Sequence, residues 1–177
     1  QLFTALKQSP DFEWEFVDGS IVRAHQHATG ASTNESESIG KSRGGNTTKI
    51  HLAVDSYGLP IDFLLTGGEI HDSRAAPELI ARLPDADFVV ADKGYDSEPI
   101  RELIRKKNGK PVIPRKSNSK LGNADIDWCL YKYRHLVENA FARLKHYRAI
   151  TTRYDDKLVR NSASTLVLAC CMMWLLM

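Results

Sequence analysis

Cysteine is scarce in this sequence of 177 residues, and its three cysteines form no framework. Cys170 and Cys171 are adjacent and Cys129 stands alone, which matches neither a zinc-ligand spacing nor a disulfide scaffold. We therefore expect a reducing, intracellular compartment. The N-terminus has no charged segment followed by an apolar core, so we expect no signal peptide.

Long hydrophobic runs are also missing. The longest apolar stretch, from Ser164 to Met177, has 14 residues, whereas a helix that spans a bilayer needs about 20. This stretch is more typical of a helix buried in a protein core. We expect no membrane contact.

Net charge is small, at +2, but the charges are unevenly distributed. Residues 1–100 contain 8 Lys and Arg against 16 Asp and Glu, and residues 101–160 contain 16 against 6. An acidic N-terminal part followed by a basic segment is typical of a metal-dependent enzyme that acts on a polyanion. The alternative is two solvated faces that balance each other.

The apolar pattern predicts a single α/β domain. Strands are predicted at 13–24, 47–56, 61–66, 87–92 and 111–114, helices at 71–83, 98–107, 127–148 and 159–177, and loops at 28–46 and 115–125. An antiparallel meander of three strands followed by βαβ units predicts a mixed sheet with helices on both faces.

Three acidic residues stand where neighbouring residues predict burial. Asp18 follows Phe16 and Val17 in the first strand, Asp92 ends a nearly all-apolar strand, and Glu138 lies within the long predicted helix. Buried acids are usually paired or bound to metal. The carboxyl end of a strand in an α/β sheet is also where ligands commonly bind.

A helical projection of residues 127–148 places four polar side chains on one stripe beside the apolar face. These residues are Tyr131, Arg134, Glu138 and Lys145. Such a stripe would line one side of a cleft with a hydroxyl, a guanidinium, a carboxylate and an ammonium group. The alternative is a solvent-exposed surface stripe with an Arg134–Glu138 ion pair.

The chemistry that fits these groups is phosphodiester cleavage and strand transfer. Carboxylates are suitable ligands for Mg²⁺, and two such ions about 3.5–4 Å apart activate the attacking oxygen and stabilise the leaving oxygen. Arg134 and Lys145 would hold phosphate groups nearby.

Five segments of the sequence together resemble one known family. They are VDGSIVRAHQHATGA at 17–31, RGGNTTKIHLAVD at 43–55, HDS at 71–73, ADKGYDS at 91–97 and YKYRHLVENAFARLKHYRAITTRYD at 131–155. The chain resembles the DDE transposases of bacterial insertion sequences, specifically the IS-five group. The family's Tyr-x2-Arg-x3-Glu-x6-Lys signature matches Tyr131, Arg134, Glu138 and Lys145 with every spacing kept.

The resemblance implies an RNase H-like fold with Asp18, Asp92 and Glu138 as the metal-binding triad, holding two Mg²⁺ or Mn²⁺ ions. It implies cleavage of double-stranded DNA at the transposon ends, followed by transfer of the freed 3′-hydroxyl into target DNA. A homo-oligomer in the DNA complex and a bacterial, cytoplasmic, nucleoid-associated location are also expected.

Full-length relatives carry an N-terminal region ahead of the first strand, which recognises the element's ends. We therefore expect 1–12 to be an N-terminal remnant or linker and 13–177 to be the catalytic domain, encoded as the second of two overlapping reading frames. The alternative is a catalytically inactive DNA-binding or assembly remnant. A hydrolase of small phosphate esters is disfavoured by the basic balance of 101–160.

Further basic residues are candidates for contact with the DNA backbone. They are Lys41, Arg43, Lys49, Lys93, Arg115 and Lys116, in addition to Arg134 and Lys145. For those in loops, the alternative is ordinary solvated charge. His71 and Asp72 precede a predicted helix, and a capping role is expected there.

Overall fold

The computed structural model describes residues 2–7, 11–29, 37–154 and 158–176. The strands are β1 (Trp14–Ala24), β2 (Gly40–Ser42), β3 (Gly45–Val54), β4 (Pro60–Gly67), β5 (Phe88–Ala91), β6 (Lys110–Val112) and β7 (Thr152–Arg153). The helices are α1 (Leu2–Leu6), α2 (Asp72–Arg82), α3 (Glu98–Lys106), α4 (Trp128–Tyr131), α5 (His135–Lys145), α6 (Arg148–Thr151) and α7 (Val159–Leu175).

The sheet has the mixed topology that the strand pattern predicts. Its main strands lie in the order β4-β3-β1-β5-β6. Strands β1, β3 and β4 pair antiparallel, whereas β5 and β6 run parallel to β1. The first three strands therefore form the predicted meander, and the helices α2 and α3 provide the connections between β4, β5 and β6.

The turn between β3 and β4 is fixed by local chemistry. Gly58 has a φ of +79°, a conformation that glycine adopts without steric cost. The buried Asp55 carboxylate accepts the backbone N–H groups of Tyr57 and Leu59 at 3.0 and 2.9 Å. This turn sets the register that brings β4 back beside β3.

Two hydrophobic cores cover the two faces of the sheet. On one face, Phe16 and Val22 of β1 pack with residues of α5 and α7. On the other face, Val17 packs with α2 and α3. Successive strand residues point to opposite faces, so Asp18 faces α5 and Gly19 faces α2.

The edge of β1 that faces β5 is interrupted. Strand β5 pairs with β1 as far as Val17, and β7 pairs with it from Arg23. Among the described residues, 18–22 have no strand partner on that edge. This gap opens directly beyond Asp18 and creates the space in which the polar side chains gather.

Several element boundaries differ from those predicted. The helix expected over 127–148 is divided into α4 and α5 by a 3₁₀ turn at Lys132–Arg134. The His135 ring nitrogen Nδ1 lies 2.8 Å from the Lys132 carbonyl oxygen and satisfies an acceptor of that tighter turn. The loop expected over 28–46 contains β2, which forms a hairpin with β3, and its positions 30–36 lie outside the described residues.

The N-terminal segment also contains structure. Within residues 1–12, which were expected to be a remnant or linker, Leu2–Leu6 form helix α1. Phe3 of this helix is buried in the core beside α7. Within the described ranges, no helix is long and apolar enough to cross a membrane.

Candidate active site

Asp18 and Asp92 lie side by side where β1 and β5 separate. Val17 and Ala91 form the last pair between β1 and β5, and each aspartate is the next residue in its chain segment. The Gly19 N–H donates to Asp18 Oδ1 at 2.8 Å, and the Gly94 N–H donates to Asp92 Oδ1 at 2.7 Å. Backbone hydrogen bonds therefore orient both carboxylates.

Arg134 connects Asp18 to Glu138. Its Nη1 donates to Asp18 Oδ2 at 2.8 Å, and its Nη2 donates to Glu138 Oε1. The Arg134–Glu138 ion pair considered from the sequence is present. The Arg134 guanidinium also contacts Asp18 on β1. The two carboxylates thus converge on a single cationic group.

The electrostatics of Asp18 reflect this setting. Burial raises the pKa of Asp18, the Gly19 amide and Arg134 lower it, and the negative charges of Asp92 and Asp72 raise it again. The net pKa lies above the usual value for aspartate. A cation beside these carboxylates would lower their pKa, because it favours their charged forms. It would thus oppose the rise in pKa that burial and the neighbouring negative charges cause.

Lys145 and Tyr131 complete the polar stripe. Lys145 Nζ donates to Ser20 Oγ at 2.7 Å, and Ser20 lies on the same face of β1 as Asp18. Burial raises the pKa of the Tyr131 hydroxyl, and the neighbouring Arg134 acts against this rise. The four residues of the signature therefore border the same gap, although α5 begins only after Arg134.

A cavity of about 520 Å³ adjoins Asp92. Lys93, Gly94 and Lys116 line it together with Ser117 and Asn118. Both lysines are exposed, and the backbone N–H of Lys116 is anchored to Asp96 Oδ2 at 2.8 Å. This cavity places two mobile cationic side chains at the mouth of the site.

The other candidate DNA contacts differ in exposure. Lys41 and Arg43 are exposed on the β2–β3 hairpin. Lys49 is only 12% exposed, and its ammonium group pairs with Asp72 at 3.2 Å and donates to the Ile70 carbonyl at 2.6 Å. Arg115 is also 12% exposed and pairs with Asp125 at 2.9 Å. The charge of Lys49 is thus directed into the protein, whereas that of Arg115 is paired with an exposed carboxylate.

Sequence reasoning assigned a capping role to His71 and Asp72, and the structure separates these two residues. His71 is the N-cap, because its Nδ1 accepts the Ser73 N–H at 3.2 Å. Asp72 instead lies against Gly19 and Gly94, beside Asp18 and Asp92. In the sequence, the only indication that Asp72 belongs near the site was the HDS segment at 71–73, which is part of the family resemblance.

The donor chemistry of the site fits a hard divalent cation. Asp18, Asp92 and Glu138 offer only carboxylate oxygens, which Mg²⁺ and Mn²⁺ favour. Within the described part of the chain, no three such side chains stand at ligand spacing, and Arg134 binds both Asp18 and Glu138. The guanidinium supplies the positive charge that these two carboxylates require.

A meander of three strands followed by two parallel strands, with one acid within β1 and another directly after β5, is the arrangement of the RNase H-like class of folds. The chain belongs to the Transposase DDE domain family, whose model matches residues 16–127. That range includes Asp18 and Asp92 and ends before Glu138.

Named relatives support the same family. The chain is 38% identical over 130 residues to a chain named as transposase for insertion sequence element IS6501 of Brucella ovis, covering 73% of this chain and 98% of the relative. It is 31% identical over 136 residues to one named for IS402 of Burkholderia cepacia, covering 71% of this chain and 61% of the relative. It is 30% identical over 129 residues to the transposase for IS1106 of Neisseria meningitidis serogroup B, covering 70% of this chain and 44% of that relative.

A solved structure has the same fold. A chain of the piggyBac transposase synaptic complex with hairpin DNA aligns with a TM-score of 0.55 at 10% identity. The alignment covers 96% of this chain and 48% of that one, so this chain spans about half of its length. At this identity the likeness concerns the fold alone.

Proposed function

We propose that this chain is the catalytic part of an insertion-sequence transposase, which cleaves DNA at the transposon ends and transfers the resulting 3′-hydroxyl into target DNA. The proposal is supported by the neighbouring positions of Asp18 and Asp92, where the pairing of β1 with β5 ends, and by Arg134, which joins Asp18 to Glu138. We assign residues 13–177 to this catalytic domain.

Asp18, Asp92 and Glu138 would hold two Mg²⁺ or Mn²⁺ ions, which supply activation of the attacking oxygen and stabilisation of the leaving oxygen. For this, the Arg134 guanidinium has to release Asp18 and Glu138. A guanidinium released beside the site is suited to bidentate binding of a phosphate. Arg134 would thus bind Asp18 and Glu138 before the metal ions are bound, and a phosphate of the DNA backbone afterwards.

The remaining residues position the substrate. Lys145, held over β1 by Ser20, would bind a phosphate as a point charge. Tyr131 would orient DNA or water at the same edge. Lys93 and Lys116 would bind the backbone at the cavity beside Asp92, and Lys41 and Arg43 would extend this contact along the hairpin.

We propose that double-stranded DNA is the partner, that the protein works as a homo-oligomer on it, and that it acts at the bacterial chromosome in the cytoplasm. Arg115 and Lys49 are weaker candidates for DNA contact than the exposed lysines, because each is paired with a carboxylate of the protein.

The direct test is nicking of a supercoiled plasmid in Mg²⁺ or Mn²⁺, with a chelator as the metal-free control. We expect nicking by the wild type only with metal, and a decrease of about 100-fold for Glu138→Gln, which removes one charge from the site while keeping the side chain's shape. Relaxation of the plasmid is measured on agarose gels.

Two negative results would be informative. Equal nicking by the wild type and Glu138→Gln would contradict the role of Glu138. Absence of nicking by both, with folding intact by circular dichroism, would favour the alternative of an inactive DNA-binding or assembly remnant if the wild type still binds duplex DNA.

The lysines beside Asp92 allow a separate prediction about DNA binding. Lys93→Gln and Lys116→Gln should each lower the slope of log affinity against log salt by about one, because each removes one phosphate contact. The slope is measured by fluorescence anisotropy with a labelled duplex. Lys106→Gln, at an exposed lysine of α3 outside this cavity, is the matched control and should leave the slope unchanged. Unchanged slopes in all three variants would remove Lys93 and Lys116 from the DNA interface.

A further inference from the structure

Asp72, the first residue of α2, fills the space left by Gly19 and also lies against Gly94, next to Asp18 and Asp92. A Cβ atom on Gly19 would lie 2.6 Å from Asp72 Oδ1, and a Cβ on Gly94 would lie 3.4 Å from Asp72 Oδ2. Gly19 follows Asp18, and the Gly94 amide holds Asp92. The Asp72 carboxylate therefore packs directly against both segments that carry these two acids.

The approach of Asp72 comes from the face of the sheet opposite to α5. Gly19 faces α2, whereas Asp18 faces α5, where Arg134 binds it. Because Gly19 has no side chain, the Asp72 carboxylate can approach the backbone of β1 on the face that packs against α2. The two faces of β1 thus bring acidic groups to the same gap.

Lys49 pairs with Asp72 in this position, and the His51 ring lies beside the same carboxylate. Lys49 Nζ lies 3.2 Å from Asp72 Oδ1, and His51 Nδ1 lies 3.7 Å from the same oxygen. His51 is fully buried and its Nε2 is hydrogen-bonded to Thr66 Oγ1 at 3.0 Å. Burial lowers the pKa of His51 to about 4, so at neutral pH Lys49 is the only one of the two that carries charge.

A buried hydroxyl group is directed toward the same acids. Tyr95 has no exposed surface, and its hydroxyl lacks a hydrogen-bond partner within the described residues. Burial raises its pKa well above the usual value, and the charges of Asp72, Asp18 and Asp92 raise it further. The hydroxyl therefore lies in the field of all three carboxylates.

We infer that Asp72 is a fourth acidic residue of the site, a positioning residue that strengthens cation binding at Asp18 and Asp92 from the opposite face of β1. The inference rests on the proposed function. An acid that only favoured the α2 helix N-terminus would not require glycine at position 19 to make room for it, and it would not need an ion pair with a largely buried lysine.

The test is Mn²⁺ binding by the whole chain, measured as free Mn²⁺ by electron paramagnetic resonance. Asp72→Asn keeps the side chain's shape and removes its charge. We expect it to weaken Mn²⁺ binding about 10- to 100-fold, the range typical of groups that support metal ligands from behind. Asp62→Asn is the matched control, because Asp62 is 24% exposed against 27% for Asp72 and also pairs with a cation, Arg82. It should leave Mn²⁺ binding unchanged.

A second variant displaces the carboxylate without neutralising it. Gly19→Ala would place a methyl group against Asp72 Oδ1, and we expect weaker Mn²⁺ binding with the full charge retained. This variant decides the question if Asp72→Asn does not fold, as judged by circular dichroism.

The outcomes separate this inference from the proposed function. If Mn²⁺ binding is lost in Asp18→Asn but unchanged in Asp72→Asn and Gly19→Ala, Asp72 has only a structural role and the proposed function stands. If the wild type binds no Mn²⁺, both fail. A lower melting temperature of Asp72→Asn with unchanged Mn²⁺ affinity also identifies a purely structural role.

Discussion

Replacing Asp92 by asparagine should reduce metal-dependent plasmid nicking by about 10³-fold. Asparagine retains the Oδ1 acceptor for the Gly94 N–H, so the backbone after β5 keeps its local hydrogen bond. It loses the negative charge that a divalent cation needs. Stabilisation of transition-state charge by a bound metal is worth several kcal/mol, and each 1.36 kcal/mol is a factor of ten in rate.

The experiment must distinguish the loss of the Asp92 charge from a loss of folding in Asp92→Asn. Asp92→Asn and the control Asp62→Asn are compared in nicking, in Mn²⁺ binding and in thermal unfolding. We expect Asp62→Asn to nick at the wild-type rate, because Asp62 pairs with Arg82 on β4 and α2. Retention of a tenth or more of the wild-type nicking rate by Asp92→Asn would rule out Asp92 as a metal-binding residue.

Local patterns in the sequence were sufficient to predict most of the sheet. Alternating apolar residues and a Gly58 turn predicted β3 and β4, and the short apolar run before Asp92 predicted β5; the model confirms all three within a few residues. These features depend on side-chain periodicity and turn chemistry between near neighbours. A mixed sheet follows once such elements are ordered along the chain.

The division of the long helix was not predictable by the same means. Apolar periodicity continues through the 3₁₀ turn at Lys132–Arg134, because a turn of three residues shifts the helical phase only slightly. Arg134 and Glu138 still meet, since residues four apart stay neighbours across the junction. The ion pair therefore joins the 3₁₀ turn to α5, and the prediction missed the interruption between α4 and α5 rather than the beginning of the helical segment.

The positions of Asp72 and Lys49 depend on contacts that are distant in sequence. An acid in the first turn of a helix has a sufficient local explanation, and a lysine in a strand is normally expected at the surface. Only the packing of α2 against Gly19 places Asp72 beside Asp18 and directs the Lys49 ammonium inward. No pattern along one segment contains that information.

Glu15 gives the largest expected effect on stability. It lies on β1, its side chain is 1% exposed, and its Oε1 has no hydrogen-bond partner among the described residues. Burial raises its pKa from 4.5 to about 8; Lys107 lowers it and Asp85 raises it to smaller extents. The folded protein therefore keeps a proton on Glu15 at pH values where the unfolded chain has lost it.

The sign of the pH dependence follows from this difference. Between pH 4.5 and about 8 the folded state binds one more proton at Glu15 than the unfolded state, so the contribution of Glu15 to the free energy of unfolding falls as pH rises. Below pH 4.5 both states are protonated, and above pH 8 both are ionised. A shift of this size corresponds to a loss on the order of 4 kcal/mol across the window.

Glu15→Gln should remove this loss, because glutamine has a similar shape and does not ionise. We expect the variant and the wild type to be similar in stability near pH 4.5, and the variant to be more stable by about 3–5 kcal/mol at pH 8. Urea unfolding followed by circular dichroism at pH 5, 6.5 and 8 measures the difference. Glu13→Gln, two residues earlier at an exposed position, is the control and should show no such trend. A stability difference between Glu15→Gln and the wild type that stays constant across these pH values would mean that Glu15 is ionised in the folded protein, with a compensating cation or solvent access near its carboxylate.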